Sequence, residues 1–456
     1  MQHTHIKDFT EGNITKQLVS FAWPLLLSNV LQVVYNMVDM IIVGNVMGKV
    51  GTSAVTVGGD VTNLLTFVGI GFASAGQILI ARYVGARETD KIGRFVGTMS
   101  SFLFLCAVVI SALGLCFQTP LLTLMNTPPA AFDGAAAYSA ICMAGLVFIY
   151  GYNIVSAILR GMGDSKHPLL FIGIAAGLNL MLDLVFVLGL KMGAGGAALA
   201  TVISQATSFL LCTAFLVKNR TKFALNVTLR DFLRWDTAML WEFIKLGTPM
   251  AIKFASVMVS KLFVNSFING YGLAVSAFAG IAAKLASIVN LFSNAMNTAG
   301  STMVGQNIVA GKFDRVNRIL KNILFITLAI AALFSVLIIL FPEEIFALFT
   351  ENGDADVLAL APGYVPIALL LFLGSSLRAT MNALINGSGH TKINFATAIL
   401  DGIVMRIGLA VLFGLVLDMR HMGFWLGDAL AGFTPFFIGL VFYLSGAWKK
   451  QTMVKG

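Results

Sequence analysis

A chain of 456 residues that is 58% hydrophobic and only 11% charged is not an ordinary soluble protein, because soluble domains carry about 25% charged residues. A mean hydropathy of +0.88 and 45 glycines fit helices packed closely within a bilayer. Thirty Lys and Arg against 21 Asp and Glu give a formal +9, but the excess lies in loops beside apolar stretches and reads as membrane orientation rather than a nucleic-acid surface.

A hydrocarbon core of about 30 Å takes roughly 20 residues of helix to cross. The first half of the chain predicts spans over 16–43, 53–82, 94–118, 132–158, 168–190 and 193–217. The second half predicts them over 243–269, 274–305, 316–341, 357–386, 393–416 and 422–447. The first stretch begins near Leu18, is long and lacks a small-residue cleavage pattern, so it is expected to stay as a span. The expected fold is therefore all-α and integral to the membrane, with twelve transmembrane helices in two six-helix lobes. The N-terminal lobe is read as 1–217, a cytoplasmic linker as 218–241 and the C-terminal lobe as 242–456.

Orientation follows from the bases. The N-terminus, the even-numbered loops and the C-terminus hold 22 of the 30, while the odd-numbered loops hold only Lys49, Lys191 and Arg420. The loop from Pro342 to Gly353 has Glu343, Glu344 and Glu351 and no base. The positive-inside rule then expects a multi-pass protein of the plasma membrane with both termini cytoplasmic.

The halves match each other at an offset of about 225 residues. Phe21-Ala-Trp-Pro24 aligns with Leu246-Gly-Thr-Pro249, Asp90-Lys-Ile-Gly-Arg94 with Asp314-Arg-Val-Asn-Arg318, and Gly161-Met-Gly-Asp-Ser-Lys166 with Gly387-Ser-Gly-His-Thr-Lys392. Both halves start on the same side, so the repeat is parallel, and a path between two lobes with alternating access is the default expectation.

Ionisable residues inside spans are costly and mark function. In the first half, Gln32, Tyr35 and Asp39 share one helical face with Asn36 adjoining, and Pro24 lies earlier in the same span. Asn179 and Asp183 are one turn apart, and Ala197, Thr201 and Gln205 continue that spacing in the next span. Rise per residue brings Asp39, Asp183 and Thr201 to one depth. Two carboxylates, an amide and a hydroxyl suit shared protons or a small hard cation such as Na+ at Asp39, Asn179, Asp183 and Thr201. The repeat partners in the second half, Val264, Met405 and Leu409, are apolar. There the spans carry Lys253, Lys261, Lys284, Arg378 and Arg406, with Asp401 read as the only deep acid. The bases Lys253, Lys261, Lys284 and Arg378 are the candidate substrate contacts, suited to an anionic or zwitterionic cargo. Cys106 and Cys116 are about 15 Å apart along a helix, too far to bridge, and the five histidines form no ligand cluster. No cofactor is expected beyond a coupling ion, H+ or Na+.

These residues resemble the multidrug and toxic compound extrusion (MATE) family, bacterial type, along essentially the whole chain. The resemblance rests on Trp23-Pro24 with Tyr35-Asn36-Met37-Val38-Asp39, on Arg160-Gly-Met-Gly-Asp-Ser-Lys166, and on Asn179-Leu-Met-Leu-Asp183 leading to Gly195-Gly-Ala-Ala-Leu-Ala-Thr201. It implies a V-shaped bundle and a cation-coupled antiporter exporting drugs or amphipathic metabolites, with an ion site at Asp39, Asn179, Asp183, Ala197 and Thr201. Some members carry acids in helices 7 and 10 where this chain reads Val257 and Gly374-Ser-Ser376. A mechanism needing a carboxylate at those places finds none here.

A lipid-linked oligosaccharide flippase of the same multidrug/oligosaccharidyl-lipid/polysaccharide flippase superfamily is the alternative, since cationic side chains suit a pyrophosphate. The Asp39, Asn179 and Asp183 set favours the exporter. No G-x-x-x-x-G-K-[ST] occurs, which argues against ATP drive. Gly161-Met-Gly-Asp164 matches the string of intramembrane aspartyl proteases, yet it sits between Arg160 and Lys166 in a loop and lacks a second catalytic acid, so no enzyme is expected. The expected partners are small-molecule substrates and the lipid bilayer, without nucleic acid, and the chain is expected to work as a monomer.

Overall fold

A computed structural model describes residues 5–348 and 355–450. Glu351 and Gly353, at the end of the acidic loop, lie outside them. Among the described residues the chain is helical, without a strand.

Ten helices are long and apolar enough to cross a membrane, and the pair Pro129–Ala144 and Leu146–Gly161, meeting at 50°, makes one more broken span. The longest helix, Ile14–Gly85, has 72 residues. At 1.5 Å per residue it would run about 108 Å, several times a hydrocarbon core. It divides at Gly48, whose φ of 62° is a conformation that glycine adopts without a Cβ penalty. Two crossings on either side of Gly48 complete the twelve predicted from hydropathy.

The spans are α1 (14–47), α2 (49–85), α3 (Thr89–Cys116), α4 (the broken pair), α5 (Lys166–Gly189) and α6 (Gly193–Lys218). Then come α7 (Thr237–Asn269), α8 (Leu273–Val309), α9 (Phe313–Leu340), α10 (Ala361–Ser388), α11 (Thr391–Val416) and α12 (Arg420–Leu444). Pro24 and Pro249 sit within α1 and α7, and Gly48 is the one non-helical residue inside Ile14–Gly85.

The repeat is written into the backbone. Gly48 and Gly272, Arg87 and Gly311, and Gly163 and Gly389 all take positive φ at matching places. Each of α5 and α11 ends in a π-helical turn, Leu184–Gly189 and Leu412–Val416. These close by the Leu190 amide donating to the Val185 carbonyl and the Leu417 amide donating to the Leu412 carbonyl. A Cβ on Gly161 would lie 2.7 Å from the Gln77 carbonyl oxygen, and one on Gly387 the same distance from that of Ser301. The matching loop sequences thus reflect one packing solution used twice: α4 seated on α2, and α10 on α8.

Packing divides the chain into two compact units. One holds Trp23–Ala251 with the segment ending at Asp8, and the other holds Phe9–Ala22 with the chain from Ile252. The first turns of α1 therefore belong to the second unit and the first turns of α7 to the first. In the second unit Arg315 donates to the carbonyls of Phe9, Glu11 and Gly12, and Lys312 to that of Thr10. The core of the first unit is rich in alanine, with Ala135, Ala194, Ala197 and Ala198 fully buried or nearly so. That of the second centres on Phe278, whose ring lies 4.7 Å from Phe346 and 5.3 Å from Trp425.

The polar stretch after α6 docks on α3. Its short helix Leu229–Leu233 begins with a capping box in which the Thr228 amide and hydroxyl both donate to Asp231. Those donors hold the Asp231 carboxyl below its ordinary range. Trp235 donates to Ser101 at 2.8 Å, and Arg94 pairs with Asp236 at 3.2 Å.

Gly161→Ala and Gly387→Ala should each lower the thermal midpoint of the detergent-purified protein, since overpacking against backbone costs about 1–3 kcal/mol. Gly408→Ala, where a Cβ meets nothing within 4 Å, should leave the midpoint unchanged or raise it. Equal midpoints for all three would contradict this packing.

Candidate functional site

Asp39 on α1 is 4% exposed, Asn179 on α5 2% and Asp183, one turn further, 0%. The Asp39 and Asp183 carboxyls lie within hydrogen-bonding reach of each other when one carries a proton. From α6, the Thr201 hydroxyl donates to Asp39 Oδ2 at 3.5 Å, the long limit of a hydrogen bond. Ala197, a turn before it, is fully buried, and its small side chain lets the helices approach.

A cavity of about 10 Å³ opens beside these groups, lined by Tyr35, Asn179, Thr201, Ser204 and Gln205 with apolar residues of α5. That is room for about one water-sized particle. Two of its lining residues carry a polar atom without a protein partner, Asn179 Nδ2 and Ser204 Oγ, and so do the two acids beside it, at Asp39 Oδ1 and both carboxyl oxygens of Asp183. No base is among the groups acting on either carboxyl. Two buried acids without a cation are costly to keep charged together. One positive charge of small radius relieves that cost. The donors fit it as a proton between the carboxyls, or as Na+ held by carboxylate oxygens, the Thr201 hydroxyl and the Asn179 amide turned oxygen-inward. Among the described residues no three His, Cys, Asp or Glu side chains gather at one point.

Four other groups gather around Thr201 and this cavity. Tyr35, one turn before Asp39, reaches Gln205, and Tyr138 of α4 reaches Thr201; Ser204 adds a hydroxyl. Gln205 was legible from its spacing after Thr201. Tyr138 lies in an alanine-rich span whose sequence gives no polar periodicity. Gln32 and Asn36 are exposed, and Pro24 is buried earlier in α1.

In the second unit the structure corrects one reading. Asp401 is not the only deep acid: Asp428 on α12 also meets Arg406. Arg406 Nη2 donates to Asp401 at 3.1 Å and Nη1 donates to Asp428. Asp428 lies inside the predicted span 422–447, so its signal was present in the sequence. Lys253 donates to the Asn382 side-chain oxygen and Arg378 to that of Asn290, each at 2.7 Å. Arg378, Arg406 and Asp401 lie within electrostatic reach of both Lys253 and Lys261, and Asp428 within reach of Lys261 and Arg378. Lys284 is exposed on α8 and is not among them, so it drops out of the candidate set.

Asp164, of the protease-like string, has a structural role. Its Oδ1 accepts from the amides of Lys166 and His167, and its Oδ2 meets the His167 ring. It caps the start of α5.

The MatE family model matches the chain twice, over residues 24–185 and 249–412, with starts 225 residues apart. The chain is 29% identical to the probable multidrug resistance protein YoeA of Bacillus subtilis (strain 168), over 98% of this chain and 96% of that protein. It is 27% identical to the probable multidrug resistance protein YpnP of the same organism, over 98% of each. Among solved structures it resembles an outward-facing conformation of a multidrug resistance MATE family transporter of the MOP superfamily, with a TM-score of 0.89 over 97% of this chain and 98% of that one. Sequence identity there is 22%, which speaks for the fold alone.

Asp164→Ala should cost about 1 kcal/mol of stability through loss of the cap, read as a lower thermal midpoint, and leave substrate export intact. Loss of export in a variant that keeps its midpoint would give Asp164 a functional role.

Proposed function

The chain belongs to the MatE family, and from that premise we propose that it is a cation-coupled antiporter that exports drugs or amphipathic organic metabolites by alternating access. It is a multi-pass membrane transporter, not an enzyme. The observation that carries the coupling is the pairing of Asp39 and Asp183, two buried carboxyls with no base, beside a cavity with room for one small particle.

Uptake of one proton or one Na+ offsets one of the pair's two negative charges and favours α1 packed against α5. Loss of that charge leaves two carboxylates facing each other, and their repulsion favours a different packing. An ion that binds one packing better than the other shifts the balance between them. If cargo prefers the opposite state, ion and cargo exchange, and the ion gradient drives export. The names of its relatives in Bacillus subtilis, probable multidrug resistance proteins, support drug-like cargo and do not favour the flippase. The distribution of bases supports a plasma-membrane protein with both termini in the cytoplasm. In this reading a monomer is the working unit.

In proteoliposomes with proton or sodium gradients imposed separately, Asp39→Asn and Asp183→Asn should each reduce gradient-driven export by about tenfold or more while the thermal midpoint is kept. Normal export in both variants overturns the assignment. A cysteine replacing Lys449 should react with an impermeant reagent only after the membrane is opened; labelling of intact cells reverses the topology.

A further inference from the structure

The second unit holds a cluster that ion coupling does not use. Four bases, Lys253, Lys261, Arg378 and Arg406, stand against two acids, Asp401 and Asp428, a formal excess of two positive charges. Both acids are committed to Arg406, which is 2% exposed and takes one carboxylate on each terminal nitrogen. Lys253 and Arg378 are half-buried and meet neutral amide oxygens, of Asn382 and Asn290. Those amides aim the cations and leave their charge in place. Lys261, two turns beyond Lys253 on α7, is exposed.

The backbone around the cluster is specialised. Residues five apart lie about 140° apart around an α-helix, which would send Asp401 and Arg406 to different faces. The π-helical turn Leu400–Met405 stacks them instead. In that turn the Gly402 carbonyl accepts from the Ser260 hydroxyl, so α7 is clamped to α11 between Lys253 and Lys261. Gly402 also lets α7 in close, since a Cβ there would lie 2.5 Å from Ser256 Cβ. The corresponding part of α5 is ordinary α-helix, Lys166–Asp183. The halves therefore differ in both charge and backbone at this level. Charged side chains at membrane depth face a protein interior or an aqueous cavity rather than lipid.

We propose that Lys253, Lys261 and Arg378, braced by the Asp401–Arg406–Asp428 triad, form a binding site for an amphipathic organic anion bearing a phosphate or paired carboxylates. The triad ties α11 to α12 without consuming the three outer bases. Two net positive charges match a phosphate monoester, and lysine and arginine supply its donors. The apolar remainder of the ligand lies along the surrounding helix faces. This deepens the exporter reading by naming a cargo class, yet binding needs no gradient, so the two can fail separately.

The test is equilibrium binding to full-length protein in phosphatidylcholine nanodiscs. The probes are 1-naphthyl phosphate, inorganic phosphate and 1-naphthyltrimethylammonium, which share the apolar part or the anion but not both. The parent should bind naphthyl phosphate more tightly than either of the others. Lys253→Met and Arg378→Met should each weaken it about tenfold, Arg378→Lys should keep most of the affinity, and Lys284→Met should change nothing. In discs containing phosphatidic acid, a fall in naphthyl phosphate affinity identifies a lipid headgroup as the natural occupant, and an unchanged affinity identifies a free anion. Equal affinity in the parent, Lys253→Met and Arg378→Met, or tighter binding of the ammonium probe than of the phosphate, overturns the proposal. If binding is lost and Arg378→Lys also fails despite a parent-like thermal midpoint, charge is not what the site reads, and the proposal falls as well.

Discussion

The cost of an uncompensated charge in an apolar interior governs this molecule. Its deep ionisable groups are few, and the two compact units resolve them in opposite ways. In the first, Asp39 and Asp183 are brought together with no base and with oxygens left unpartnered, so compensation has to come from outside the chain. In the second, Arg406 is neutralised within the protein by two carboxylates, and Lys253 and Arg378 are aimed by neutral amides. One unit is built to accept a positive charge and the other presents positive charge. Two copies of one six-helix plan have acquired complementary electrostatics while keeping the same turns and the same close glycine contacts.

Much of this was legible in the sequence because bilayer thickness is a stringent ruler. The predicted spans fall within a few residues of the helices, and the turns between them follow glycines such as Gly48 and Gly272. Spacing of one turn placed Asn179 with Asp183 and Thr201 with Gln205 on shared faces, and rise per residue brought Asp39 to the same depth. The family model, matching at starts 225 residues apart, agrees with the internal repeat read from three short motifs.

What stayed hidden depended on relations between helices. Periodicity gives the phase of a face along one helix, not its rotation relative to a neighbour. Tyr138 and Ser204 therefore entered the pocket without a sequence signal, while Lys284, apparently one of a set, points elsewhere. Asp401 and Arg406 could not be paired from sequence, because five residues apart is a poor α-helical spacing and nothing in Leu400-Asp-Gly-Ile-Val-Met405 announces a π-turn. Asp428 was visible as an acid within a predicted span, and its pairing with Arg406 became evident only once α11 and α12 were docked.

The central claim is that the Asp39–Asp183 pocket takes up a single positive charge. Potentiometric titration of the purified protein tests it directly, comparing the parent with the Asp39→Asn, Asp183→Asn double variant in choline and in sodium. In choline the parent should take up about one proton more per chain than the variant as the solution is made acid. Sodium should either leave that curve in place, which identifies protons as the coupling ion, or displace it to lower pH, which identifies competition by Na+. Curves for parent and variant that superimpose in choline would contradict the account.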